Sequence, residues 1–491
     1  MDVSPRYETF SYQRRVPEQT LLYRVLAENL ETFLDRCRTE DHELPRYVEK
    51  ELREYLTCGV LGHGFVRLKC SGCGEEERSL AFSCKGRGFC PSCTGRRMAD
   101  TAARLVDNVF PENIPVRQWV LSLPLEIRYR LAYDSKLLSD VLAVFLRVVR
   151  GWYCRQAKAA GYKDVRVGSV TFCQRFGGAI NLNPHSHVLQ LDGVYTDDEG
   201  KASPVFVPAP ELEDEDVKII VETTAHRVIR LLTRRGILDE DQLDPLAEES
   251  PLLAGVAAAS VQGMIATGER AGMRVRRVLS DPAEGVKTGH LCYASRGFSL
   301  HAATTVAAGD RAALERLCKY VARPPLAVGR LTQVSDDLLS FQLKTPWSDG
   351  TTAILLSPLE LVEKISALVP PPRRNLVRYH GILAPHARQR EKVVPGISDA
   401  KSATDKPIAT RRNYRLSWAA LLARTFGLKL ERCSLCGAEM KVVAVITDPP
   451  SIRRYLEGTG ESAAIPEIAP ARAPPQLEMD YADFDYADNN Y

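Results

Sequence analysis

The feature that most constrains this chain is a crowd of cysteines near its start. Seven of its 13 cysteines, Cys37, Cys58, Cys70, Cys73, Cys84, Cys90 and Cys93, fall within the first hundred residues. The amino terminus has no apolar core followed by a small-residue cleavage site, so a cytoplasmic, reducing setting is expected, where such crowding binds metal. Cys70-x-x-Cys73 is followed after sixteen residues by Cys90-x-x-Cys93. Each pair fits a tight knuckle, and four thiolates complete the closed tetrahedral shell of a structural zinc. Cys70, Cys73, Cys90 and Cys93 are therefore expected to hold one zinc ion. Cys58, His63 and Cys84 lie close enough to join a second site or replace a ligand, but the preferred reading is ordinary buried residues. Cys433-x-x-Cys436-Gly437 is half a knuckle with no second pair after it. Borrowed ligands, from this chain or another subunit, and a metal-free turn are both open.

At 491 residues the chain exceeds the roughly 250 to 300 residues of a single core, so two to four units are expected. Its 45% hydrophobic and 26% charged content is that of a globular protein, and no segment offers the roughly 20 uninterrupted apolar residues of a membrane span. A net charge of +3 hides local contrast. Lys69, Lys85, Arg87, Arg96 and Arg97 flank the cysteines, whereas the final LEMDYADFDYADNNY is acidic.

Apolar spacing predicts helices from Glu18 to Cys37 and around Val48 to Leu56, a strand in RQWVLSLPLEI stopped by Pro124, and a long buried helix up to Gly161. The stretch VGSVTFCQRFGGAINLNPHSHVLQLDGVY is apolar and β-branched on both sides of Gly177-Gly178, which predicts a hairpin. Helices follow at Asp214–Arg235 and Asp310–Val321, with residues 238–282 ambiguous, and antiparallel strands return before and after the Asp349-Gly350 turn. This alternation indicates an α+β fold.

On the outgoing strand of the hairpin, His185 and His187 are one residue apart and share a face, so both imidazoles can bind one divalent ion while Ser186 points away. With Leu314 at zero on a helical wheel, Leu317, Cys318 and Val321 cluster beside it, while Tyr320 and Arg316 fall opposite. Tyr320 need not be core. Beside a metal it becomes a candidate nucleophile toward a phosphodiester, with Lys319 and Arg316 as neighbouring cations.

At these residues the chain resembles the bacterial insertion-sequence transposases of the IS91 type and the related common-region elements. The resemblance covers most of the chain and rests on HGFVRLKCSGCG, SCKGRGFCPSCTGRRMA, QRFGGAINLNPHSHVLQLDGVY, KYVARPPLA, KTPWSDGT, RRNLVRYHGILAP and CSLCGAEMKVVAVI. It implies an N-terminal zinc-binding domain and an HUH nuclease domain, an antiparallel sheet with flanking helices. It also implies a Mg or Mn ion and cleavage of single-stranded DNA through a 5′-phosphotyrosine in rolling-circle-like transposition. His185 and His187 match the metal ligands and Tyr320 the catalytic tyrosine. Ser186 replaces the usual hydrophobic residue. Arg316 stands where two-tyrosine members carry a second tyrosine, so this is a single-tyrosine pattern. Gln174, on the partner strand, is the candidate third ligand.

Tyr379 is the rival nucleophile. Arg373, Arg374 and Arg378, like Arg96 and Arg97, are assigned to DNA phosphates. The expected division is 1–110, helical and zinc-binding; 111–385, catalytic; 386–412, linker; 413–458, C-terminal helix and CxxC module; and 459–491, disordered acidic tail. Expected partners are single-stranded DNA of the element ends and target DNA, with a homodimer open, in a cytoplasmic, nucleoid-associated protein. Two rival readings stand: a zinc-dependent DNA-binding regulator with an inactive nuclease domain, and a hydrolase using metal-activated water.

Overall fold

The computed structural model describes residues 14–39, 43–197, 203–238, 244–279, 289–347, 349–395 and 432–472. Two helices open it, α1 (Leu21–Thr39) and α2 (Arg46–Thr57). Their apolar residues recur every three or four positions, so Leu22, Leu26, Leu30 and Phe33 meet Val48, Leu52 and Tyr55 in one buried stripe. The hairpin of β1 (Phe65–Cys70) and β2 (Glu77–Ala81) carries Cys73 in its turn. Next, α3 (Pro91–Asn108) starts on Cys90 with Pro91 in its first turn, where proline has no hydrogen-bonded N–H to lose.

The chain continues through β3 (Val116–Ser122), α4 (Leu125–Tyr133), α5 (Ser135–Ala159), β4 (Gly168–Phe176), β5 (Leu182–Leu191), β6 (Gly193–Thr196), β7 (Val205–Pro208), α6 (Asp214–Arg234), α7 (Pro245–Glu249) and α8 (Pro251–Gln262). It then forms β8 (Arg276–Leu279), β9 (Cys292–Ser295), β10 (Phe298–His301), β11 (Thr305–Val306), α9 (Arg311–Val321), β12 (Leu331–Ser335), β13 (Leu338–Gln342), β14 (Thr351–Leu356), α10 (Pro358–Leu368), β15 (Val377–Gly381) and α11 (Arg390–Val393). Beyond a stretch outside the described residues come β16 (Met440–Ile446) and α12 (Pro449–Thr459).

A seven-stranded sheet, all of whose pairings are antiparallel, organises the centre in the order β15-β4-β5-β3-β10-β9, with β11 also on β3. Both of its faces are covered, so β4 and β5 are buried along most of their length, their polar residues included. One face packs Trp119, Leu121, Cys173 and Val188 against α5 and α6. The other packs Val170, Phe172, Leu189 and Leu191 against α3 and α9. A separate sheet, β12-β13-β14-β8, shares its core with α1, α2, α8 and α10. The fold is α+β, as expected.

Several boundaries drawn from the sequence shift. The stretch RYHG, assigned to DNA phosphates, is edge strand β15, and β9 to β11 had no clear pattern because their strands are only two to four residues long. Residues 386–395, at the start of the expected linker, are tied down: Gln389 donates to Asp197 at 3.0 Å and Arg390 to the Leu383 carbonyl at 3.1 Å. The CxxC segment is not a module of its own, since β16 adds to β1. Part of the expected tail lies on α1, with the Ala469 N–H donating to the Ala27 carbonyl at 2.9 Å. The helix expected around Trp418, Leu421, Leu422 and Phe426, and the acidic end beyond residue 472, lie outside the described residues. No helix among the described residues is long and apolar enough to cross a membrane.

Two elements from different expected domains are joined directly. Arg311, in the first turn of α9, donates to the carbonyl of Val106 in the last turn of α3 and to those of Phe110 at 3.0 Å and Pro111 at 3.2 Å just beyond it. The last-turn carbonyls of a helix have no N–H partner within it, and a cation suits that terminus. Arg311→Ala is expected to lower stability by about 2 kcal/mol, since charged hydrogen bonds to half-buried carbonyls are lost. Thermal denaturation checks it, and an unchanged midpoint would dismiss the joint.

Candidate functional site

The zinc expectation is corrected first. Cys70, Cys73, Cys90 and Cys93 do not form one shell; the structure gathers two sets of four thiols, Cys58 with Cys84, Cys90 and Cys93, and Cys70 with Cys73, Cys433 and Cys436. The physical reason is that the two CxxC motifs are different local structures. Cys90 and Cys93 sit at the N-terminus of a helix, whereas Cys70 and Cys73 sit in a β-turn. Cys58 and Cys84, expected to be ordinary buried residues, complete the first set, and His63 stays exposed outside it.

In that first set the Sγ separations are 3.6 Å for Cys58–Cys90, 3.7 Å for Cys58–Cys93 and 3.4 Å for Cys84–Cys93. Four sulfurs about 2.3 Å from one zinc at tetrahedral angles stand about 3.8 Å apart, so the cradle fits the ion. The Gly86 N–H points to Cys84 Sγ at 3.3 Å, which supports a thiolate there.

The second constellation lies on the sheet. In β5, alternation puts Asn183, His185 and His187 on the face that α9 covers, and Ser186 on the opposite face beside Cys173. The two imidazole rings are 4.9 Å apart, and the Tyr320 ring stands perpendicular to His187 at 6.1 Å. All three line one open cleft of about 560 Å³ with Gln118, Asn183, His301, Arg316 and Arg323. Tyr320 is 41% exposed, whereas Leu314, Leu317, Cys318 and Val321 are buried, so the wheel reads the helix face correctly.

Hydrogen bonds fix both rings. His185 Nδ1 donates to the Asn183 carbonyl at 2.8 Å, leaving Nε2 to accept a cation. The Gln118 amide lies 2.6 Å from His187 Nδ1; with its oxygen turned to accept Nδ1–H, His187 Nε2 is likewise left as a lone pair. Among the described residues, His187 Nε2 and Asn183 Oδ1 are buried and have no hydrogen-bond partner. Three donors on one wall, two of them unpartnered, suit a divalent cation. Gln174, directly opposite His185 on β4, also has a buried Oε1 without a hydrogen-bond partner among the described residues, while its amide nitrogen donates to the Val321 carbonyl at 2.6 Å; unlike Asn183 it does not line this cleft.

Burial sets the protonation of the pair. Desolvation lowers the pKa of His185 to about 4 and that of His187 to about 2, with His185 and Arg323 adding to the latter shift. Both are neutral near pH 7, as metal ligands must be. The unfolded chain takes up protons at these sites below about pH 6.5, while the native protein does not until well below that. In protein free of a cation here, their contribution to stability is therefore complete above pH 6.5 and lost as pH falls, by up to about 1.4 kcal/mol per unit per histidine. Urea unfolding at pH 7.5 and 5.5 checks this against His185→Gln/His187→Gln, which is expected to show the shallower dependence. Equal slopes would contradict it.

The cations expected near Tyr320 are rearranged. Lys319 is engaged with Glu315 at 2.9 Å. The charges over the Tyr320 ring are Arg323 at 4.4 Å and Lys344 at 4.8 Å from its centre. Sequence reasoning missed both, because Arg323 follows the helix end and Lys344 comes from beyond β13. Arg323 Nη1 is buried and has no partner among the described residues.

Tyr379 sits elsewhere, its hydroxyl accepting from Arg104 at 3.0 Å and its pKa raised by burial. Of the five arginines assigned to DNA, Arg96, Arg97 and Arg373 are exposed. Arg374 and Arg378 are partly occupied internally, donating to the Ala132 carbonyl at 2.6 Å and Ser139 Oγ at 2.8 Å. Arg374 thereby ties β15's leading loop to the end of α4.

With this geometry in hand, comparison with known families is informative. Residues 168–392 match a family model described as a putative transposase, and residues 26–123 match one described as a transposase zinc-binding domain. No curated protein and no solved structure matches the chain. The first match spans the hairpin with both histidines and the helix with Tyr320, and the second contains all four thiols of the first set.

Proposed function

Because this chain belongs to the IS91-type transposase family, we propose that it cleaves and rejoins single-stranded DNA through a 5′-phosphotyrosine on Tyr320, with His185 and His187 holding a Mg or Mn ion. The observation that carries this reading is one cleft in which an exposed phenol faces two neutral imidazoles. Membership of the family brings DNA transposition; the chemistry is argued from the cleft.

Tyr320 Oη attacks the phosphorus and gives up its proton, the bond to the 3′ oxygen breaks, and that oxygen leaves as a 3′-hydroxyl. The 5′-phosphate remains esterified to Tyr320, so the bond energy is kept and a later 3′-hydroxyl can reverse the step. A bound ion would supply Lewis-acid polarisation of the phosphate. The protein's own share is positional. His185, His187 and Asn183 would hold the ion, Gln118 orients His187, and Arg323, with an unpartnered N–H, stands ready for the phosphate beside Tyr320. Arg316 lines the same cleft one helical turn before Tyr320, leaving one nucleophile per chain. Exposed Arg96, Arg97 and Arg373 are assigned to the DNA backbone.

The test is to incubate purified protein with labelled single-stranded DNA from the ends of its element, with and without Mg or Mn. A denaturant-resistant adduct is expected only with the ion and with single strands, and peptide mapping should place the nucleotide on Tyr320. Cleavage without an adduct would indicate activated water instead. Specific binding without cleavage would indicate a DNA-binding regulator.

A further inference from the structure

The second set of thiols lies partly outside both family matches, since Cys433 and Cys436 follow residue 392. We propose that Cys70, Cys73, Cys433 and Cys436 bind a second structural zinc ion, which clasps residues 432–472 onto the N-terminal unit.

The local structures of the two halves match. Each is a C-x-x-C-G turn with its glycine at positive φ, +70° for Gly74 and +74° for Gly437, a conformation that costs a side chain but not glycine. The halves meet face to face, with Sγ separations of 3.4 Å for Cys70–Cys436 and 3.7 Å for Cys73–Cys433. These values are again near the roughly 3.8 Å edge of a zinc–thiolate tetrahedron, and far beyond the roughly 2.05 Å of a disulfide. The Gly72 N–H points to Cys70 Sγ at 3.3 Å, as the Gly86 N–H does to Cys84 in the first set. Two zinc knuckles from distant parts of the chain thus form one closed site.

The surroundings show what the ion would secure. Beside the knuckle, Glu76 accepts from the Ser434 N–H at 2.5 Å and Ser71 donates to the Glu439 carbonyl at 2.8 Å. From there β16 pairs with β1 along its length, and Ile452 and Leu456 of α12 bury against Leu61 and Phe65. That apolar patch is small. Four thiolates in a metal-free cluster would have little reason to remain together, whereas structural zinc contributes roughly 10 kcal/mol or more in small domains. Cys73 and Cys436 are exposed while Cys58, Cys90 and Cys93 are buried, so the second ion is the more accessible to chelators.

Zinc bound per chain in the purified full-length protein is expected to be two, falling to one in Cys433→Ser/Cys436→Ser. Hydrogen exchange should then rise in residues 440–456 and stay unchanged in α3. One zinc in the wild type, two in the double variant, or a disulfide within this set in freshly purified protein would overturn the proposal. Should the double variant misfold, the wild type suffices: brief chelation followed by alkylation should label Cys70, Cys73, Cys433 and Cys436 together, before Cys58, Cys90 and Cys93. Labelling of all seven at one rate, or of Cys433 and Cys436 before any chelation, would contradict a shared ion.

Discussion

Tyr320→Phe should abolish the covalent DNA adduct and lower strand cleavage by about a thousandfold or more, while leaving single-strand binding almost unchanged. The substitution removes one exposed oxygen and no core contact, because Leu314, Leu317, Cys318 and Val321 make the buried side of α9. Stability should therefore stay within about 0.5 kcal/mol of the wild type, as for most surface changes. Loss of a nucleophile falls on the chemical step, which is where so large a factor belongs. Tyr379→Phe should retain the adduct; its own effect is a modest loss of stability, since the Arg104 hydrogen bond goes. Quantified adduct on a denaturing gel, with binding measured in parallel, separates these. Adduct that survives in Tyr320→Phe and vanishes in Tyr379→Phe would reverse the assignment.

Cys90→Ser should be the most damaging single change to the fold. Cys90 is 1% exposed, shares the first thiol set and caps α3, so its loss removes a ligand and leaves three thiolates in a buried site. Structural zinc contributes on the order of 10 kcal/mol, comparable with the whole stability of many domains. The expected result is loss of one zinc per chain, no cooperative melting of the N-terminal unit, and a large fall in adduct yield. Cys154→Ser, a half-buried cysteine in α5 outside both sets, is the control and should keep its zinc. A Cys90→Ser protein with full zinc and a normal melt would remove the first site from the structure's support.

The adduct should suffer along with the fold because of how α3 is placed. The helix starts in the thiol set and ends against α9, where Arg311 joins them. Its middle, Ala102, Leu105 and Val106, packs with Leu314 and Leu317 of α9 on the sheet that carries the histidines. A boundary near residue 110 is reasonable from composition but hides this, since α3 belongs to both units.

What could be read from the sequence was what local geometry dictates. Alternation put His185 and His187 on one face, helical periodicity set Tyr320 apart from its buried neighbours, and a glycine pair marked the hairpin between β4 and β5. What could not be read depends on contacts between distant residues. Cys70-x-x-Cys73 and Cys90-x-x-Cys93 have the same spacing, but one is a turn and the other a helix start. The glycines after Cys73 and Cys436, and the proline after Cys90, were the local signs that distinguished them. Arg374 looks like any basic residue until the Ala132 carbonyl is seen to accept from it. Arg323 and Lys344 gain meaning only from the ring that they flank.

The second thiol set also dictates a timetable for synthesis. Cys70 and Cys436 are 366 positions apart, and β1 lacks its partner β16 until nearly the whole described chain has been made. At roughly 5 to 20 residues per second, the ribosome leaves the first knuckle and the open edge of β1 waiting for about 20 to 70 seconds. Throughout that interval two thiols and an unpaired strand edge are available to oxidants, to stray metal and to other nascent chains. A product truncated before Cys433 would stay in that state permanently, so the last strand made among the described residues decides whether the first sheet is finished.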